Sequence, residues 1–149
     1  MCLQRLARIF CGHEIKKLPS PTEKRTINGS ELRQLIRAKF PTGEIETSDT
    51  VFSLCSIEDI EAALDVDETN HLVYVAERFD CDNFARLLWG QLGCPEWAHY
   101  AIGLFWSDKH AMVLCVDANK DVWLVEPQTD ERRSDLLSWQ GTKMRFVVI

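Results

Sequence analysis

Apolar residues recur at helical spacing through the middle of the chain and in short continuous runs through its last third. After Ser30, the residues Leu32, Leu35, Ile36 and Phe40 fall on one side of a helix that Pro41 ends. Ser30 is placed as the N-cap of that helix and Glu31 in its first turn. A second helix is predicted from Ser56, with Asp59 at the capping-box position and Ile57, Ile60 and Leu64 on one face. Its early acids Glu58, Asp59 and Glu61 suit the positive end of the helix dipole. A third helix runs from Asp82 to about Leu92, where Phe84, Leu87, Leu88 and Leu92 share a face, and Gly93 and Pro95 stop it.

Between these helices, "GEIETSDTVFSLCS" reads as extended in part, and "HLVYVAE" (71–77) as a short strand or extended entry to the third helix. The runs "HYAIGLFW", "HAMVLCVD", "DVWLVEP" and "KMRFVVI" predict an antiparallel sheet with a tight turn at "DANKD". That turn has the first alternating oxygens of a calcium loop but lacks its later Gly and Glu, so it is expected as a turn alone. Helices first and strands later indicate an α+β domain. Residues 1–28 divide off as an N-terminal helix, with Leu3, Leu6, Ile9 and Phe10 on one side, and a linker rich in Pro, Ser and Thr. Residues 29–149 form the main domain.

Composition narrows the picture. A chain of 149 residues with 46% hydrophobic and 27% charged residues has the makings of one packed core. A net charge of −6 without a basic tract argues against duplex nucleic acid as a partner. No run approaches the roughly 20 apolar residues of a membrane span. Arg5, Arg8, His13 and Glu14 interrupt the N-terminal apolar run that a signal peptide needs. The six cysteines, at 2, 11, 55, 81, 94 and 115, form no CxxC pair and no regular framework. A reduced, cytoplasmic protein is therefore expected. Cys81, Cys94, His99 and His110 match no common zinc spacing, and no cofactor is expected.

Candidate chemistry centres on Cys81 in "RFDCDNFARLLWGQL", where an extended segment becomes a helix. A helix N-terminus favours a thiolate, although Asp80 and Asp82 oppose it. His110, at the start of the best strand, can accept a thiol proton, and His99 is the rival base. Glu126, at the end of the next strand, can orient the imidazole, with Gln128 as the alternative. Cys94 and Cys115 read as structural. Of the five tryptophans, Trp89, Trp97, Trp106, Trp123 and Trp139, some can line a cleft, and most should fill the core.

The order "DCDNFA", "KHAMVLCVD", "WLVEPQ" resembles the papain-like and bacterial transglutaminase-like cysteine peptidases, and the papain-like domain of certain fungal agglutinins. The resemblance implies a papain-like (cysteine proteinase/transglutaminase-like) α+β fold of phage or bacterial type. It implies Cys81 as nucleophile, His110 as general base and acid, and Glu126 as the orienting residue. The expected function is thiol-dependent acyl transfer by a cysteine peptidase or amidase on a peptide or protein substrate, or by a transglutaminase if an amine is the acceptor. The segment "LVYVAERFD" departs from the pattern by lacking an upstream oxyanion Gln. The Cys81 N–H supplies one donor, and Asn70, Trp106 and Gln128 are candidates for the second. The alternative is a non-catalytic structural, host-interaction or carbohydrate-binding module on the same fold. A redox thiol protein is disfavoured without a CxxC partner. Oligomeric state stays open.

Overall fold

The computed structural model describes residues 16–134 and 143–149. The expected helix over the first residues and Trp139 lie outside that range. A short strand β1 (Arg25–Asn28) leads directly into helix α1 (Gly29–Lys39). Asn28, not Ser30, is the N-cap: its backbone is extended, and its side chain accepts the Glu31 N–H at 2.9 Å. Strands β2 (Glu44–Glu46) and β3 (Val51–Leu54) precede helix α2 (Ile57–Leu64). The expected capping box forms there, with Ser56 N–H donating to Asp59 Oδ2 and Asp59 N–H to Ser56 Oγ, both at 3.2 Å. A 3-10 turn at Thr69–His71 and a loop lead to helix α3 (Cys81–Gln91). Then follow β4 (Ile102–Ser107), β5 (Ala111–Val116), β6 (Val122–Val125), β7 (Arg132–Arg133) and β8 (Met144–Val148).

The main sheet has the order β2-β8-β4-β5-β6-β7, while β1 and β3 form a separate antiparallel pair. Every position of β5 is buried. Met112, Leu114 and Val116 face a core built with Leu32 and Ile36 of α1, Phe105 and Val147. Val113 and Cys115 face a second core with Ile60, Ala63 and Leu64 of α2, Leu88 of α3, and Trp97. The alternation of side chains along a strand thus sorts one run of six apolar residues into two cores. Helix α1 covers one face of the sheet, and α2 with α3 covers the other.

The papain-like arrangement expected from the sequence, N-terminal helices followed by an antiparallel sheet, is not what forms. Strands β1 to β3 are interleaved with the helices, β2 joins β8 in parallel, and among the described residues the six-stranded sheet dominates three helices of 11, 8 and 11 residues. Two local expectations also change. "HLVYVAE" makes no strand: Val75 bridges only Phe79 among the described residues, and Val73, Tyr74 and Val75 are exposed. On α3 the buried residues are Phe84, Ala85 and Leu88, with Leu87 turned outward.

Gly103 permits the close approach of β4 to the C-terminal end of β8. A Cβ added there would come within 2.4 Å of both the Val148 carbonyl oxygen and Ile149 Cγ1. Because one of those atoms is backbone, the sheet itself must shift. Gly103→Ala is expected to lower the unfolding free energy by about 2 kcal/mol. Urea denaturation of the two proteins measures this, and an unchanged midpoint would contradict the packing described.

Candidate functional site

The β5–β6 hairpin sets the geometry of the site. Its turn is held by buried Asp117, whose Oδ1 accepts the N–H groups of Asn119 (2.8 Å) and Asp121 (3.0 Å), and whose Oδ2 accepts the Trp123 indole N–H (3.0 Å). Lys120 adopts the left-handed conformation that this turn needs, at φ 66°. The register that follows pairs Val113 with Val125. One step further, Glu126 lies diagonally across from His110, within side-chain reach.

His110 Nε2 is 2.5 Å from Glu126 Oε2. With Nε2–H donating to the carboxylate, the imidazole lone pair is on Nδ1. Glu126 is itself fixed: its Oε1 accepts the Gln128 backbone N–H at 3.2 Å and the Gln128 amide at 3.4 Å. Gln128 therefore supports the acid rather than the imidazole. The loop carrying His110 is tied down by Ser107, whose Oγ accepts the His110 N–H at 2.8 Å and donates to the His110 carbonyl at 2.9 Å.

Cys81 is the first residue of α3 and is partly exposed. Helix α3 runs in the same direction as β5, since Ala85 packs with Ala111 while Leu88 and Leu92 pack with Val113 and Cys115. One turn before Ala85, Cys81 accordingly overhangs the His110 end of the sheet. Its neighbours are acidic. A hydrogen bond that the protonated Asp82 carboxyl donates to Asp80 is the first cause of its raised pKa, with burial second, while Arg86 pairs with Asp82 at 2.5 Å and lowers it. Trp106, paired with Ala111, lies on the α3 side of β4 and stacks on Phe146 at a centroid distance of 5.5 Å. Among the described residues, its indole N–H has no hydrogen-bond partner. The indoles of Trp89, Trp97 and Trp123 instead donate to Ile102 O, Pro19 O and Asp117.

The other candidates lie elsewhere. His99 stacks on Tyr100 at 4.6 Å. Cys115 is fully buried, its thiol pKa pushed far up by desolvation, and burial drives Cys55 to about 12. Asn70, an oxyanion candidate, donates its amide to Asp130 Oδ2 at 2.5 Å.

No protein-family model and no curated protein matches the chain. Solved structures do. One is the PSL1a-E64 complex, with a TM-score of 0.73 and 19% identity, covering 85% of this chain and 51% of that one. Another is Polyporus squamosus lectin bound to the human-type influenza-binding epitope Neu5Aca2-6Galb1-4GlcNAc, with a TM-score of 0.70 and 18% identity, covering 85% and 50%. The fold is that of half a lectin chain. This chain spans about half the length of each of these structures. The comparison corrects the expected papain-like, transglutaminase-like family of phage or bacterial type, together with the hydrolase and thiol-protease reading attached to it. The sequence resemblance rested on three short motifs, whereas the lectin match extends over 85% of the chain.

Sequence reading missed one polar cluster. Asp67, Asn70 and Asp130 come together from the end of α2, the 3-10 turn and the turn after β6, and each leaves one buried oxygen unpartnered: Asp67 Oδ2, Asn70 Oδ1 and Asp130 Oδ1. These are the oxygens that could face a hard cation. Among the described residues, no three His, Cys, Asp or Glu side chains are grouped as metal ligands. The only signal in the sequence was the acid run "DVDETN", with nothing to link it to Asp130.

Burial, reinforced by Asp67, pushes the Asp130 carboxyl up to about 6. The folded state thus holds this proton to higher pH than the unfolded chain, whose value is about 3.9. The stabilising share of the protonated group is complete below that value and is lost as pH rises through about 6. Asp130→Asn should therefore match the parent near pH 4 and exceed it by about 1 kcal/mol at pH 8, a figure discounted for the exposure of the group. Urea titrations in metal-free buffer test this, and an advantage that instead grew on acidification would reverse the sign.

Proposed function

We propose that the chain is a carbohydrate-binding module, seating its ligand at the N-terminal end of α3 between Trp106 and the His110–Glu126 pair. The observation that carries this reading is the match over 85% of the chain to structures of Polyporus squamosus lectin. The expected peptide or protein partner gives way to a saccharide. Among the described residues, no helix is long and apolar enough to cross a membrane. The local chemistry agrees with the reading. A partly exposed indole offers a flat apolar face to the C–H side of a sugar ring, and its N–H, which bonds to none of the described residues, can reach a hydroxyl. His110, Glu126 and Gln128 supply fixed donors and acceptors at the rim.

The epitope bound by Polyporus squamosus lectin belongs to a chain twice as long, so it is the first ligand to test rather than the assigned one. Binding to a panel of immobilised glycans, including Neu5Aca2-6Galb1-4GlcNAc, is expected. Trp106→Ala should weaken any bound glycan by tenfold or more, about the contribution of one stacked aromatic at a binding surface. A panel with no binder removes the proposal. Binding unaffected by Trp106→Ala moves the site elsewhere.

A second reading concerns the thiol. Of the four described cysteines, Cys55 and Cys115 are buried. Cys81 starts the helix that lies over the His110 end of the sheet, and His110 Nε2 is engaged by Glu126. We infer that Cys81, His110 and Glu126 act as one site, in which His110 accepts the thiol proton and Glu126 orients the ring. Iodoacetamide should alkylate Cys81 faster than Cys94, and the rate should fall several-fold in His110→Ala. E64, which PSL1a binds, is a second ligand to try by mass spectrometry. Reaction of Cys81 no faster than a thiol in the urea-unfolded chain ends this reading.

A further inference from the structure

On the face of α1 away from the core, Ser30, Arg33, Gln34, Arg37 and Ala38 line an open cavity of about 580 Å³, closed on its far side by Ile45 of β2. Their spacing puts all five on one helical stripe, while Leu32 and Ile36 face the core. In a chain of net charge −6, two guanidinium groups one turn apart line one cavity. Among the described residues, neither has a carboxylate within ion-pair distance.

Neutral oxygens hold both groups in place. Arg37 Nη1 donates to the Gly43 carbonyl at 2.8 Å and to the Pro41 carbonyl at 3.4 Å, and Arg33 Nη2 donates to Thr47 Oγ1. Gly43, at φ 93°, makes the turn that presents its carbonyl. Glu31, two residues before Arg33, is paired with Lys120 instead, and Glu44 and Glu46 flank Ile45 and so alternate to the opposite face of β2. The arginines are thus oriented without being neutralised. Each guanidinium carries five N–H donors, and these contacts leave others for a ligand.

We infer that this cavity binds the carboxylate of an acidic saccharide, an inference that rests on the carbohydrate-binding reading but places a second site on the other face of the sheet. A planar carboxylate matches the guanidinium fork. The remaining lining suits a sugar ring: the Ser30 hydroxyl and Gln34 amide meet hydroxyl groups, and Ala38 and Ile45 meet the apolar side of the ring. The volume is within the range of small-ligand sites.

The test compares methyl β-D-glucuronide with methyl β-D-glucoside by NMR, following the arginine Nε–Hε signals of the unsubstituted protein. The glucuronide should shift the Arg33 and Arg37 signals and bind at least tenfold more tightly than the glucoside. Arg33→Gln and Arg37→Gln should each abolish that preference, and 0.5 M salt should weaken it, whereas Glu44→Gln on the opposite face should leave it intact. Equal binding of the two glycosides, or arginine signals unmoved by either, overturns the inference. Sulfate binding as tightly as the glucuronide overturns it too, leaving a simple anion site. The two readings fail separately. A neutral glycan bound at Trp106 with no glucuronide preference sinks this site alone, whereas no binding of any saccharide sinks the carbohydrate reading itself.

Discussion

Burial of β5 on both faces is the constraint from which the remaining architecture follows. Its six residues have no exposed side, so the strand is stable only with cover above and below. Helix α1 provides one cover through Leu32 and Ile36, and α2 with α3 provides the other through Ile60, Leu64 and Leu88. Completing both covers fixes the direction of α3 along β5, and that direction puts Cys81 at the His110 end rather than the opposite one. The hairpin to β6, held by Asp117, then places Glu126 against His110. The candidate site is thus a by-product of how one apolar strand is wrapped.

What could be read from the sequence was whatever a short window determines. The Ser56 capping box, the strands β4, β5 and β6 and the turn at Asp117 depend on neighbours a few residues apart, and all were legible. The juxtaposition of His110 and Glu126 was also accessible, because a hairpin couples strand register to turn length. Pairings between distant segments were not. Nothing in "GEIE" signals that it will lie parallel to β8, roughly a hundred residues on. Of the two expectations for the β-rich "HLVYVAE", the strand does not form, since local propensity makes a strand only where a partner strand pairs with it. The papain-like assignment failed for the same reason. A Cys, His and Glu in order on suitable elements constrain a third of the chain, and a fold is decided by how all of it is threaded.

The distribution of charge separates the two faces of the sheet. On the α2–α3 side, carboxylates crowd together: Asp80 with Asp82, and Asp67 with Asp130, each pair raising a carboxyl pKa. On the α1 side, Arg33 and Arg37 are oriented by hydroxyl and carbonyl oxygens. An excess of acids would ordinarily pair off exposed arginines, as Arg86 and Arg132 are paired with Asp82 and Glu61. Surface ion pairs contribute little to stability, so two arginines with no carboxylate partner among the described residues cost the fold little.

Fold and site chemistry are therefore independent properties of this chain. Resemblance to half of a lectin fixes the path of the backbone, and at 18–19% identity it transfers no side chain. The polar groups have to make their own case, and they differ in how well they are held. Glu126 accepts three contacts, from His110 and twice from Gln128, and Arg37 donates to two carbonyls of one turn. Side chains fixed in that way have already lost their conformational freedom before a ligand arrives, so binding does not have to supply that ordering cost. Tyr74 and Val73, exposed on a loop with a single bridge, have no such preparation. Being held by neutral oxygens rather than by a carboxylate is what sets Arg33 and Arg37 apart from Arg86 and Arg132, which are ordered just as firmly.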